Sequence, residues 1–82
     1  MDFGYALNAL REGQKVNRSG WNGKGMWIAI AHPRADCGDP GIVQIYPTMT
    51  VPFIFMRTVQ GDLVPWLASQ TDILAEDWEI TI

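Results

Sequence analysis

The spacing of apolar residues near the start of the chain predicts a short helix. Four of them follow one another at positions i, i+3, i+4 and i+7: Phe3, Ala6, Leu7 and Leu10. Because a helix turns once in about 3.6 residues, this spacing places all four on one face. Asp2 is a favourable N-cap, and Gly13 stands where helices often end in a left-handed conformation. The pattern therefore predicts an N-terminal helix between these two residues.

Several later segments carry the patterns of β-strands. In chain order they are a brief stretch at 15–17, then 26–31, 42–46, 51–59, 63–66 and 77–82. The run at 26–31 is apolar at nearly every position, which is typical of a central strand covered on both faces. The last segment alternates, with Trp78, Ile80 and Ile82 on one side, as in a strand half exposed to solvent. The chain therefore favours an antiparallel sheet.

Turn chemistry and a helix cap complete the fold prediction. Residues 60–62 are predicted to form a hairpin tip, and 33–41, with two Pro, two Gly and two Asp, a surface loop. Ser69 and Asp72 match the capping pattern S-x-x-[DE], which predicts a helix from 70 to about 76. We expect an α+β fold, a small antiparallel sheet with an N-terminal helix and a short C-terminal helix, in a single ligand-binding domain of 82 residues.

Composition favours assembly into a homo-oligomer. Hydrophobic residues make up 48% of the chain, and four of the residues are Trp. A domain of this length buries only about 60% of the surface that its unfolded chain exposes. The run at 42–56 alone carries more large apolar side chains than one small core absorbs. Contact between subunits would cover part of this surface.

Charge and cysteine content narrow the partners and the compartment. Six Lys and Arg oppose nine Asp and Glu, giving a net charge of −3, and no basic run matches those that neutralise nucleic-acid phosphates. The single cysteine, Cys37, cannot close an internal disulfide. No leader-like segment opens the chain, and no apolar stretch approaches the roughly 20 residues that span a bilayer. We therefore expect a cytoplasmic protein that binds neither nucleic acid nor membrane.

Enzyme chemistry finds little support in the sequence. The chain has one His and one Cys, and it lacks a G-x-S-x-G motif and metal-ligand spacing, so we expect no catalysis, no metal and no cofactor. Asp72 and Glu76 would share one face of the predicted helix, as an acid and a base could. The alternative is a solvated acidic surface for Glu76 and Glu79, with Asp72 either capping the helix or contacting a ligand.

A glycine-rich segment at 20–25 surrounds Trp21 with three glycines. Glycine lets backbone N–H groups approach an anion closely, and Arg18 and Lys24 flank the segment with positive charge. The spacing is not that of a P-loop, so a phosphate-binding loop and a plain turn around a packed Trp both remain open.

The four tryptophans divide into two pairs by their context. Trp21 and Trp66 lie at junctions of turn residues, where an indole can remain partly exposed and stack on a base or a sugar. Core packing is the alternative for both. Trp27 and Trp78 lie inside strand patterns and are predicted as core residues.

Two groups of residues at opposite ends of the chain form a longer pattern. The first joins Phe3-Gly4, Ala6-Leu7, Gly13 and Arg18 to the run G-W-N-G-K at 20–24. The second is P-W-x-x-S-Q-x-D-x-L-A-E-D-W at 65–78. Together they closely resemble the Thoeris anti-defense 2-like family. The stretch at 32–51 contributes almost nothing to this resemblance.

The resemblance implies a function in the infected bacterial cell. Members of this family are small phage proteins that bind cyclic ADP-ribose isomers made by bacterial TIR enzymes and hold them without cleavage. The resemblance further implies assembly into homotetramers with nucleotide pockets between subunits. Some members also hold cyclic dinucleotides at separate sites. By resemblance, this chain sequesters such a signal, for example glycocyclic ADP-ribose, and so blocks effector activation.

The resemblance also implies ten ligand-binding residues. The apolar walls against base and ribose would be Phe3, Trp21 and Trp66. Polar contacts would come from Ser69, Gln70 and Asp72, and a further contact from Asn22. The pyrophosphate would be faced by Arg18, Lys24 or Arg57. The choice among the three cations stays open, although Arg offers bidentate geometry. Two alternatives also remain: a small hydrolase or lyase with Asp72 or Glu76 as general base, and a structural or adaptor protein of the virion.

Overall fold

The computed structural model of the chain describes residues 1–21, 23–32 and 51–82. Its elements, in chain order, are α1 (Phe3–Arg11), β1 (Val16–Arg18), β2 (Trp27–Ala31), β3 (Phe53–Arg57), β4 (Leu63–Pro65), α2 (Gln70–Leu74) and β5 (Trp78–Ile80). The strands form one antiparallel sheet in the order β4-β3-β2-β1-β5. The predicted α+β fold with its two helices is confirmed, and β2 is central as expected. The loop predicted at 33–41 and the strand predicted at 42–46 lie outside the described residues.

Helix α1 begins and ends as its sequence predicts, but its buried face is shifted. The Asp2 side chain accepts a hydrogen bond from the Tyr5 amide at 2.9 Å, and Gly13 follows the helix with a φ of 86°. The buried residues are Ala6, Ala9 and Leu10. Phe3 and Leu7, predicted on the same face, are only half-buried. The face of α1 that packs against the sheet therefore includes Ala9 and is rotated away from Phe3 and Leu7, compared with the face that the apolar spacing predicts.

The main core lies between α1 and one face of the sheet. Its buried residues are Ala6, Ala9, Leu10, Val16, Ile28 and Trp78. Trp78 is 1% exposed, and its ring packs against three other aromatic rings, those of Phe3, Trp21 and Trp66, at centroid distances of 5.5, 5.4 and 6.2 Å. Its indole Nε1 donates to the Asp72 carbonyl oxygen at 2.9 Å. The prediction of Trp78 as a core residue is confirmed.

The other face of the sheet carries a second, smaller cluster. Ala31 and Phe55 are buried there, packed by Trp27, Ala29, Phe53 and Leu63. Trp27 stacks edge-on against Phe55 at 5.8 Å, and the Lys15 ammonium lies 4.4 Å from the Trp27 ring centroid. Trp27 was predicted as a core residue, but it is only half-buried and lies on the face opposite α1. Side chains alternate along a strand, and its neighbour Ile28 takes the position that faces the main core.

The C-terminal segment departs from its predicted boundaries. Helix α2 ends at Leu74, since Ala75 already has an extended ψ of 150°. Glu76 therefore lies beyond the helix, and the prediction that it shares a helix face with Asp72 is wrong. The predicted alternation holds within β5, where Trp78 is buried and its successor exposed, but Ile82 lies past the strand and is fully exposed. No helix formed by the described residues is long and apolar enough to cross a membrane.

Candidate ligand-binding cleft

The described residues between β1 and β2 (19–21 and 23–26) include three glycines, and we call them the glycine loop. The Gly20 amide donates to Asp77 Oδ2 at 2.8 Å, and a Cβ at this position would lie 2.7 Å from the same oxygen. Gly25 has a φ of 80°, a left-handed conformation that side-chain-bearing residues rarely adopt. A side chain at position 20 would therefore displace the Asp77 carboxylate, and one at position 25 would strain the backbone.

A cleft of about 480 Å³ opens beside the glycine loop. Its lining residues are Asn17, Arg18, Ser19, Trp21, Gly23, Lys24, Gly25, Met26 and Glu79. The volume lies within the roughly 300 to 1,000 Å³ of small-molecule sites. The lining combines one indole, a thioether, the backbone of two glycines and side chains of both charges. Such a surface suits a ligand with both a flat ring and charged or hydroxyl groups.

Two carboxylates hold the Arg18 guanidinium at the edge of this cleft. Arg18 Nε lies 2.8 Å from Asp77 Oδ1, and Arg18 Nη1 lies 2.8 Å from Asp72 Oδ1. The hydrogen bond with Asp77, and then that with Asp72, raises the pKa of Arg18 above its ordinary value. We call these three residues the ion triad. Because two negative charges already face the guanidinium, Arg18 offers little net positive charge to a ligand.

Asp72 joins the ion triad to the aromatic cluster. Its carboxylate accepts hydrogen bonds from Ser69 Oγ at 2.9 Å and from Trp21 Nε1 at 3.3 Å, in addition to Arg18. Partial burial raises the pKa of Asp72, but the bonds from Arg18, Ser69 and Trp21 outweigh it and leave the pKa below its ordinary value. The Asp72 amide donates to Ser69 Oγ at 3.1 Å, so the predicted cap of α2 is confirmed. A carboxylate held in this way is a weak base.

Asp77 is the second carboxylate of the ion triad. Its hydrogen bond from Arg18 lowers the pKa of Asp77, desolvation opposes this, and the Gly20 amide lowers it further. The sequence predicted no partner for Asp77, because Arg18 lies 59 positions away along the chain. Strand pairing between β1 and β5 brings the two together, with Arg18 opposite Trp78.

The structure brings only some of the predicted site residues to the cleft. Three of the ten predicted residues line it: Arg18, Trp21 and Lys24. Six do not line it: Phe3, Trp66, Ser69, Gln70, Asp72 and Arg57. The tenth, Asn22, lies outside the described residues. The rings of Phe3 and Trp66 lie 6.4 Å apart in the aromatic cluster around Trp78. Gln70 is exposed on α2.

Four lining residues lie outside both the ten predicted contacts and the glycine-rich segment at 20–25: Asn17, Ser19, Met26 and Glu79. Asn17 Nδ2 donates to Glu79 Oε1 at 3.0 Å across the β1–β5 pair. Only the strand register could have indicated this contact, because the two residues lie 62 positions apart in the chain. Among the described residues, no group of three His, Cys, Asp or Glu is placed to hold a metal ion.

Acid should weaken the fold through the ion triad. The pKa values of Asp72 and Asp77 are lower in the folded protein than the ordinary aspartate pKa of 3.8. Their ionised forms therefore stabilise the folded state above pH 3.8, and this stabilisation is lost as the pH falls through the folded-state pKa values. Asp72→Asn should lower the melting temperature by several degrees at pH 7. The difference from the unmodified chain should shrink below about pH 4.

Thermal melts monitored by circular dichroism between pH 7 and pH 2.5 measure this effect. Glu76→Gln is the matched control, since this exposed carboxylate makes no side-chain hydrogen bond or ion pair with the described residues. It should melt as the unmodified chain does at pH 7. An Asp72→Asn variant as stable as this control at pH 7 would contradict a stabilising ion triad.

Comparison with known proteins covers nearly the whole chain. The model of the Thoeris anti-defense 2-like domain matches residues 1–81. A protein of Bacillus phage SP01 described as "Thoeris anti-defense 2" is 41% identical over 83 residues, covering 98% of this chain and 93% of that protein. The resemblance inferred from the motifs is thus confirmed. The chain belongs to the Thoeris anti-defense 2-like family.

Proposed function

We propose that this chain counters a bacterial immune system by binding a cyclic ADP-ribose isomer, such as glycocyclic ADP-ribose, and sequestering it without cleavage. The observation that carries the proposal is the cleft, in which the Trp21 indole, the glycine-loop backbone and the Lys24 ammonium line one space of about 480 Å³. The family and the phage relative's name support an anti-defense role. Cyclic dinucleotides share the same base and phosphate chemistry and are a second ligand class for such a protein.

Trp21 is suited to stack on the base. Its indole is half-buried, packs edge-on against Trp78 at 5.4 Å, and is tied through Nε1 to Asp72. The ring therefore has a fixed orientation before any ligand arrives. Pre-organisation of this kind raises affinity because less side-chain freedom is lost on binding.

Lys24 is suited to meet the pyrophosphate. It is exposed in the glycine loop and forms no ion pair with the described residues, whereas Arg18 is already matched by two carboxylates. Backbone N–H groups of the loop can add to its attraction for an anion. The net charge of −3 is no obstacle, since screening limits the distant acidic groups to a range of about 8 Å. Asn17 and Glu79 lie on the same cleft and suit ribose hydroxyl groups.

The side chains near the cleft favour binding over hydrolysis. Asp72, the carboxylate first considered as a general base, is held by three donors and has a lowered pKa. Glu76 is exposed, past the end of α2, and does not line the cleft. A sequestering protein in the cytoplasm of the infected cell needs tight binding, so we expect dissociation constants on the order of nanomolar, about −12 kcal/mol.

A homo-oligomer, in our proposal a tetramer, would complete the site. Leu67 and Leu74 are 92% and 78% exposed, and Ile73 is 45% exposed, so the segment around α2 exposes three large apolar side chains. We call these three residues the α2 patch. Gln70, predicted to contact the ligand, lies on the same helix, and packing of the α2 patch between copies would let residues outside one cleft serve a neighbouring one.

Substitution of Trp21 tests the stacking role. Trp21→Ala should weaken binding of glycocyclic ADP-ribose by about tenfold to a hundredfold, because stacking on a base is worth about 1 to 3 kcal/mol. Isothermal titration calorimetry against a panel of cyclic ADP-ribose isomers and cyclic dinucleotides measures the loss. Circular dichroism below the melting temperature checks that the variant is folded.

Trp27→Ala is the matched control, since the same residue type is removed from the opposite face of the sheet, away from the cleft. It should retain the affinity of the unmodified chain. Equal affinities for folded Trp21→Ala and the unmodified chain would place the ligand elsewhere, and an unmodified chain that binds no member of the panel would refute the proposal.

Light scattering after size exclusion tests the assembly. At micromolar concentration the unmodified chain should have the mass of a tetramer, and Leu74→Glu should reduce it by placing a charge in the α2 patch. Ile82→Glu, at an apolar position that is fully exposed and lies outside both the α2 patch and the run at 42–56, is the control and should leave the mass unchanged. A monomeric unmodified chain would contradict the oligomer.

A further inference from the structure

The hairpin between β3 and β4 ends in a tight turn that packs against the glycine loop. The Thr58 amide donates to the Asp62 carbonyl oxygen at 2.8 Å, and the Asp62 amide donates back to Thr58 Oγ1 at 3.1 Å. Gly61, whose φ is 91°, donates its amide to the Thr58 carbonyl oxygen at 2.9 Å. These bonds close residues 58–62 into a self-contained turn, which can act as a firm support for a neighbouring loop.

Arg57 reaches from the base of this hairpin to the glycine loop. Its Nη1 donates to the Gly25 carbonyl oxygen at 2.9 Å and approaches the Thr58 carbonyl oxygen at 3.5 Å. Its guanidinium also lies between two left-handed glycines, since a Cβ would come within 3.1 Å of Nη1 at Gly25 and within 3.5 Å of Nη2 at Gly61. No carboxylate of the described residues forms an ion pair with Arg57. Its charge is directed to backbone carbonyls instead.

Val59 makes a second contact between the hairpin and the loop. A Cβ at Gly23 would overlap Val59 Cγ2 and would lie 2.9 Å from Met26 Sδ. The loop backbone at Gly23 therefore lies directly against the side chain of the hairpin turn. Arg57 and Val59 thus hold the glycine loop at two points, one polar and one apolar, on either side of Lys24.

We propose that Arg57 is a positioning residue, which fixes the glycine loop for ligand binding without contacting the ligand itself. In a trans peptide the C=O and N–H groups point in opposite directions, so anchoring the Gly25 carbonyl directs the Met26 N–H away from Arg57. Gly25, Met26 and Lys24 all line the cleft, whereas Arg57 does not. This inference rests on the proposed function, since it assigns a role to that same cleft.

The physical reason is conformational freedom. A loop with glycines at both ends of Lys24 has many accessible backbone states, and only the fraction in the binding-competent state contributes to affinity. A hydrogen bond from a charged donor is among the stronger ones in a protein. Its loss should therefore reduce the competent fraction and weaken binding through the loop, while the number of charges that face the ligand is unchanged.

The test compares Arg57→Met, which keeps most of the stem and removes the donors, with Lys24→Met, which removes the charge on the cleft. Amide hydrogen exchange without ligand is the first readout. Arg57→Met should speed exchange at residues 23–26 about tenfold or more, the equivalent of one hydrogen bond to a charged group, and Lys24→Met should not. Val59→Ala should speed exchange at the same amides and serves if Arg57→Met fails to fold.

Affinity for glycocyclic ADP-ribose as a function of salt concentration is the second readout. Both methionine variants should bind about tenfold more weakly, but only Lys24→Met should show a smaller salt dependence, because only Lys24 faces the phosphates. Unchanged exchange in folded Arg57→Met, or a salt dependence reduced as in Lys24→Met, would overturn the positioning role. If the unmodified chain binds no nucleotide, the proposed function fails, and the exchange experiment alone decides whether Arg57 holds the loop.

Discussion

The guanidinium of Arg18 between two carboxylates is the interaction on which the rest of the molecule depends. It joins β1 to residues 54 and 59 positions away along the chain, and each carboxylate has further partners. Asp77 receives the Gly20 amide, and Asp72 receives Trp21 Nε1 and the hydroxyl of Ser69. The glycine loop, the start of α2 and the last strand therefore meet at the ion triad. A small domain with a thin core gains from such a junction because it fixes segments that contribute little apolar burial.

The ion triad also determines the chemistry that is available at the cleft. It consumes the charge of Arg18 and lowers the pKa of Asp72, so that neither side chain is free to act as an anion-binding cation or as a base. The cleft still offers a fixed indole, a glycine backbone and the ammonium of Lys24, together with the polar side chains of Asn17 and Glu79. This combination suits recognition and retention of a nucleotide.

The spacing of residues within short segments was enough to predict several features of the fold. The cap of α2 at Ser69, the central strand β2 and the buried Trp78 all follow from spacing within a few residues. The end of α2 was predicted two residues too late, because the chain leaves the helix early to bring Trp78 into the core. The half-burial of Trp27 was missed because an apolar run does not reveal which residues face α1.

The residues of the candidate site also fall into two groups, those that short sequence spacing places together and those that only strand pairing brings together. Trp21 and Lys24 could be placed together from the sequence, since they lie in one short loop. The contributions of Asn17 and Glu79 required the register of β1 against β5, and the contact of Arg57 with Gly25 required the pairing of β2 with β3. Both are non-local, and no spacing of residues along the chain encodes them. Trp66 and Gln70, which the resemblance to the family implies as ligand contacts, do not line the cleft of the single chain. In the proposed tetramer they would serve the cleft of a neighbouring copy.

The central claim is that the protein retains its ligand chemically unchanged, and the fate of the ligand tests it most directly. Purified protein would be incubated with an equimolar amount of glycocyclic ADP-ribose, passed through a filter that retains the protein, and then heat-denatured. Mass spectrometry would measure the nucleotide released. The account predicts that nearly all of the ligand stays with the protein and is released with its original mass. Ligand that passes through the filter, or that emerges hydrolysed or linearised, would contradict it.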